Sequence, residues 1–162
     1  MTLRQSLFYL LCREELDHVA GLEIQAGALL GLSVASAGDF DADGYSDVLV
    51  GAPYYDFIFP DTGSAYLFYG SASGIPNGDT ESTPSAFAGD QSFSRFGYSV
   101  ASAGDVNGDG YADVIIGASF QDNGQTDEGN AFLFHGSPTE LSGAFFPDDA
   151  NQRLESNQVL AS

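Results

Sequence analysis

Apolar residues come in short runs along the chain, broken every few positions by glycine, serine or aspartate. Val48, Leu49 and Val50 form one run, and Val114, Ile115 and Ile116 another. Continuous, β-branched apolarity over so short a stretch predicts strands covered on both faces. Ala65 to Tyr69 and Ala131 to His135 are rich in aromatic residues and predict further strands. Ser33 to Ala37 and Ser99 to Ala103 predict strands of small residues that pack closely, and Ala86 to Ala88 a fourth strand. Helical spacing occurs only near the start, where Leu3, Leu7, Leu10 and Leu11 share one helical face. Residues 1–20 therefore predict a short amphipathic helical extension. A secretory signal is the competing reading, carried by Arg4 and the apolar run to Cys12. Arg13, Glu14 and Glu15 then stand where a small-residue cleavage site belongs.

The strand pattern repeats. Residues 30–52 and 96–118 are identical at 15 of 23 positions, without a gap, at an offset of 66. The same offset carries Gly63–Gly70 onto Gly129–Gly136. A period of this length, with four short antiparallel strands per unit, predicts stacked propeller-type blades. The expected divisions are 21–84 for the first blade, 85–143 for the second, and 144–162 for the start of a truncated or degenerate third. The fold class expected is all-β, an incomplete ring. Two blades and a fragment leave broad apolar faces. Further blades of a longer chain, self-association, or the N-terminal segment are the candidates to cover them.

Each unit carries the same polar loop between its first two strands. The first holds Asp39, Asp41, Asp43, Gly44, Tyr45 and Asp47; the second holds Asp105, Asn107, Asp109, Gly110, Tyr111 and Asp113. Oxygen donors at loop positions one, three, five and nine, glycine at six and a backbone carbonyl at seven (Tyr45, Tyr111) suit a hard cation of calcium size. Magnesium, which keeps its waters and demands a rigid octahedron, fits less well. Position twelve is Val50 or Ile116 rather than a bidentate glutamate, and the flanks read as strands, so these are not EF-hands. A dockerin-like arrangement fails on the same flanks. Two Ca2+ sites are expected, the first, with four carboxylates, binding more tightly than the second, with three. A loop of Asx turns that holds no ion is the competing reading.

Charge narrows the partners. The chain has 162 residues, 23 acids, 4 bases and a net charge of −19. Such a surface repels phosphate backbones and anionic lipid, so nucleic acid is excluded as a partner. No apolar run reaches the ~20 residues of a membrane-spanning helix, so no membrane insertion is expected. Cys12 is the only cysteine, so no intrachain disulfide can form. There is no Gly-x-Ser-x-Gly motif, no lysine to end a phosphate-cradling loop, and no His/Cys zinc cluster. An enzyme is therefore not expected. His135 stands where the first unit has Tyr69 and reads as a partly buried strand residue.

Phe96 and Gly97, the loop Asp105 to Asp113, and Gly117 with Ala118 together resemble the FG-GAP repeat of integrin α-subunit propellers. The first copy has Gly51, Ala52 and Pro53 but Leu30 in place of the phenylalanine; the second has Ser119 in place of the proline. Similar repeats occur in bacterial surface and secreted proteins and in a glycosylphosphatidylinositol-specific phospholipase D. The resemblance implies blades of a seven-bladed propeller with calcium loops on one face of the ring. It carries the ligand roles onto Asp39, Asp41, Asp43, the Tyr45 carbonyl and Asp47, and onto Asp105, Asn107, Asp109, the Tyr111 carbonyl and Asp113. The expected function is an extracellular or cell-surface, adhesion-type module binding a protein or carbohydrate ligand. The alternative is a non-catalytic spacer, or the accessory propeller of a larger secreted enzyme. The aromatic loop Tyr54 to Pro60 is either a contact patch or a loop packed on its own blade.

Overall fold

The apolar runs are strands in the computed structural model, which describes residues 25–75, 85–138, 141 and 143–155. The helix or signal expected over 1–20 lies outside the described residues. Nine strands occur among the described residues, in chain order: β1 (Ser33–Gly38), β2 (Asp47–Ala52), β3 (Ser64–Phe68), β4 (Ser85–Ala88), β5 (Phe96–Gly104), β6 (Asp113–Ala118), β7 (Asn130–Phe134), β8 (Ala144–Phe145) and β9 (Gln152–Glu155). A single 3-10 turn, Pro147–Asp149, separates the last two. Among the described residues there is no helix long and apolar enough to cross a membrane.

The strands form two open sheets. The first runs β1-β2-β3-β4-β8 and the second β5-β6-β7-β9. All pairs are antiparallel except β4 with β8. The pairings of β1 with β2 and of β5 with β6 each shift register near the loop end, at Ser36/Gly38 and Ser102/Gly104, so the repeat extends to its irregularities. The result is a pair of propeller-type blades in an incomplete ring.

Hydrogen bonding places the later strands differently from the sequence divisions. Ser85–Ala88, at the head of residues 85–143, pairs with β3 and is the fourth strand of the first sheet. Ala144–Phe145 and Gln152–Glu155, expected to begin a third unit, join the first and second sheets instead. An outer strand leaves backbone groups unpaired, and these short segments satisfy them.

The core lies between the sheets. Leu49, Ala65, Leu67 and Phe87 of the first sheet and Val114, Ile116, Phe132 and Phe134 of the second form one buried cluster with Phe40 and Phe96. The Phe87 and Phe134 rings meet across the joint with centroids 4.7 Å apart. Coverage of both strand faces holds only in part. Leu49 is fully buried, whereas Val48 and Val50, on the opposite face of β2, are half-buried and Val34 is 65% exposed. The upper end of that outward face is covered by Ala28 and Tyr55, which pack on Ala52 and Tyr66.

Candidate metal centre

The loop between β1 and β2 folds back on itself through its own carboxylates. Asp39 Oδ2 accepts from the Gly44 N–H at 3.1 Å, Asp41 Oδ1 from Asp43 N–H at 3.2 Å, and Asp43 Oδ1 from Tyr45 N–H at 2.8 Å. Gly44, at φ +95°, makes the reversal that a side chain would strain, and Gly110 repeats it at φ +95°. The loop turns three carboxylates inward: one oxygen of each of Asp39, Asp41 and Asp43 lies within 4.8 Å of the others. Asp39 Oδ1 is buried and has no hydrogen-bond partner. A buried acceptor with nothing donating to it is costly unless a cation supplies the missing interaction. The donor set is all oxygen, which suits a hard divalent ion.

Asp47 has a different position. It is 1% exposed and accepts from Phe40 N–H at 2.7 Å and Gly70 N–H at 2.8 Å, tying the loop to the end of β3. Burial pushes its carboxyl pKa up, the two N–H groups pull it down, and the Asp41 and Asp43 charges add to the rise. Each of its oxygens keeps a second lone pair.

The second loop repeats this frame with one chemical change. Asp113 accepts from Val106 N–H at 2.7 Å and Gly136 N–H at 2.9 Å, matching Asp47. Asp105 accepts from Gly108, Asp109 and Gly110, and the Gly110 N–H is the largest of the influences holding its carboxyl below the usual range. Asn107 Oδ1 accepts from Asp109 N–H at 3.0 Å, and its Nδ2 donates to Asp109 Oδ2 at 2.7 Å. An amide that donates to its neighbour relieves the repulsion that Asp41 creates in the first loop. Tyr111 N–H is held by Asp109 at 3.0 Å, as Tyr45 N–H is by Asp43. Position four also differs: Ala42 sits at φ +58°, where the second loop has Gly108 at φ +77°.

His135 joins this site in a way the strand pattern does not announce. Its Nδ1 lies 3.1 Å from Asp113 Oδ1, and its side chain is 20% exposed. Tyr69, its counterpart, instead contacts Ser85 Oγ and receives Leu141 N–H. The signal in the sequence is register: His135 directly precedes the Gly136 whose N–H holds Asp113.

The aromatic loop divides. Tyr55 and Phe57 turn inward, onto Tyr66 and Phe146 respectively. Ile58 and Phe59 remain 38% and 40% exposed. Phe93, 55% exposed, is tied beside them through its N–H to the Pro60 carbonyl at 2.9 Å.

The family model for the FG-GAP repeat matches residues 30–68 and 96–134, which contain both loops and three strands of each sheet. Integrin alpha-3 of Mus musculus is 37% identical over 113 residues, covering 70% of this chain and 10% of that protein. Integrin alpha-PS2 of Drosophila melanogaster is 37% identical over 123 residues, covering 70% of this chain and 8% of that protein. Integrin alpha-5 of Xenopus laevis is 28% identical over 150 residues, covering 92% of this chain and 14% of that protein. The chain thus spans about a tenth of the length of these relatives. Two loops in one register, each closing a strand pair that recurs at the same spacing, and likeness to integrin α subunits across most of its length place this chain among the FG-GAP repeat proteins.

Proposed function

We propose that the chain is a calcium-binding, non-catalytic interaction module of an extracellular or cell-surface protein. Asp39, Asp41, Asp43, the Tyr45 carbonyl and Asp47 hold one Ca2+; Asp105, Asn107, Asp109, the Tyr111 carbonyl and Asp113 hold a second. The observation that carries this reading is the buried, partnerless Asp39 Oδ1 beside two further converging carboxylates. The ion neutralises the loop and fixes the hairpin from β1 to β2, which sets the blade end. Site affinities of roughly 10⁻⁴–10⁻³ M match extracellular modules. Titration calorimetry of chelator-treated protein tests it. Two binding events are expected, the first loop tighter, and calcium at concentrations about tenfold above that range giving no heat overturns it.

The ligand of the module is a protein or carbohydrate. The patch of Ile58, Phe59 and Phe93 supports this, because exposed aromatic side chains anchor such contacts. Matrix proteins and a glycan panel are the probes. A ligand whose capture is lost in Phe59→Ser and Phe93→Ser, with the melting temperature retained, establishes the patch. Absence of any ligand returns the module to a spacer stiffened by calcium.

A further inference from the structure

An asparagine or aspartate followed by glycine is a place where a polypeptide attacks itself. The glycine nitrogen, with no side chain beside it, reaches the side-chain carbonyl carbon of the residue before it and closes a five-membered ring. Four such pairs occur among the described residues: Asp43 with Gly44, Asn107 with Gly108, Asp109 with Gly110, and Asn123 with Gly124. Asn77 with Gly78 lies outside them.

Three of the four are guarded by the acidic loops. Gly44 N–H donates to Asp39 Oδ2 at 3.1 Å, Gly108 N–H to Asp105 Oδ1 at 2.7 Å, and Gly110 N–H to Asp105 Oδ2 at 2.9 Å. An amide proton held by a carboxylate is hard to remove, because the charge already there opposes a second one on the nitrogen. The Asn107 side chain is also tied at both of its polar atoms to Asp109.

The fourth pair stands open. Gly124 N–H has no acceptor among the described residues. Residues 122–127 are all exposed, and a Cβ placed on Gly124 would meet nothing within 4 Å. Asn123 is held through its Nδ2, which donates to Glu155 Oε2. Glu155 ends β9, a strand exposed along its length and paired only to the edge of β7 among the described residues. Water competes for a hydrogen bond placed there.

We infer that Asn123 is a site of spontaneous deamidation, that it reacts ahead of Asn107, and that the change frees the end of β9. The Gly124 nitrogen gives its proton to base and bonds to Asn123 Cγ. The Cγ–Nδ2 bond breaks, and Nδ2 leaves as ammonia with a proton taken from solvent. Water then opens the succinimide. Cleavage at Cγ leaves aspartate, and cleavage at the main-chain carbonyl leaves isoaspartate. Nothing is oxidised or reduced. In both products the amide that donated to Glu155 is gone and a carboxylate stands in the loop, so a tie becomes a repulsion. The inference goes beyond the calcium reading and does not depend on it.

The whole chain, held at mildly alkaline pH with calcium present in heavy-oxygen water, tests the first half. Peptide mapping by mass spectrometry reads where the label enters. Label is expected at Asn123 about tenfold or more faster than at Asn107, the factor that one charge-assisted hydrogen bond supplies. In concentrated urea, where the guards are gone, the two rates are expected to converge. A folded chain that reacts as fast at Asn107 as at Asn123 overturns the inference. So does one left intact at Asn123 while the urea-treated chain reacts there. Asn123→Asp supplies the aspartate product directly and tests the second half by hydrogen exchange. The amides of Arg153 to Glu155 are expected to exchange faster than in the parent, and the gap to narrow in high NaCl, while β6 keeps the parent rate. Unchanged exchange in β9, or faster exchange in β6 as well, overturns the local release.

Discussion

At the scale of single residues, the first loop is held in a conflict that the second avoids. Two carboxylate charges 4–5 Å apart repel by roughly 3–4 kcal/mol at an effective dielectric of about 20. Asp39, Asp41 and Asp43 form three such pairs, while Asn107 breaks the equivalent set. Asp43→Asn keeps an oxygen to accept the Tyr45 N–H but removes one charge. In chelator this variant is expected to melt at or above the parent temperature, since the repulsion is smaller. In calcium it is expected to lose most of the calcium-dependent rise. Asp109→Asn is expected to lose a smaller part, and paired melts of the two variants read both effects. A variant less stable than the parent in chelator would show that the Asp43 charge serves the fold without an ion.

At the scale of elements, the packing of the sheets depends on positions where nothing larger than hydrogen fits. A Cβ on Gly51 would lie 2.0 Å from the Gly97 carbonyl of the neighbouring sheet. A Cβ on Gly117, its repeat counterpart, would meet only the Ser99 hydroxyl at 2.3 Å, the movable end of a side chain. Gly51→Ala is therefore expected to cost about 1–3 kcal/mol, the range for overpacking. Gly117→Ala is expected to cost well under half as much, and urea denaturation of both compares them directly. A second link between the sheets is Arg95. Its guanidinium carbon lies 4.9 Å from the centre of the Tyr54 ring and 4.3 Å from that of Phe120, which belong to the loops after β2 and β6. Arg95→Lys keeps the charge but loses the flat group that stacks. A loss of about 0.5–2 kcal/mol is expected, and a double-mutant cycle with Phe120→Ala shows whether the stacked pair accounts for it.

How much of this the sequence declares depends on the range of the interaction. The strands at Val48–Val50 and Val114–Ile116 and the two loops are local patterns, and they were legible because each repeats at a fixed offset. The last two strands, β8 and β9, were not: Gln152–Glu155 is exposed throughout and is a strand only because β7 offers it an edge. The contact of His135 with Asp113 and the stacking of Arg95 link residues 22 to 41 positions apart; the first is marked only by the place of His135 before Gly136, and nothing in the flanking sequence marks the second.

At the scale of the whole molecule, the two sheets share one buried cluster, and both loops lie at the ends of strands that enter it. Loop and core are joined covalently within a few residues: Phe40 is fully buried and stands between Asp39 and Asp41. Calcium that holds the loop therefore also holds a core phenylalanine in the joint, and stabilisation is expected to reach both sheets rather than the loop alone. A ligand present at about ten times its dissociation constant adds roughly 1.4 kcal/mol per site. For a chain of this size that raises the midpoint by about 3–6 °C per site. Melts followed at far-UV wavelengths, which report both sheets, are expected to shift as one transition between chelator and millimolar calcium. The near-UV signal of the buried aromatic residues should move with it. A single transition that chelator leaves in place would show that the acidic loops are turns alone. Two transitions, with only the earlier one responding to calcium, would show that the first sheet depends on its ion while the second, relieved by Asn107, stands without one.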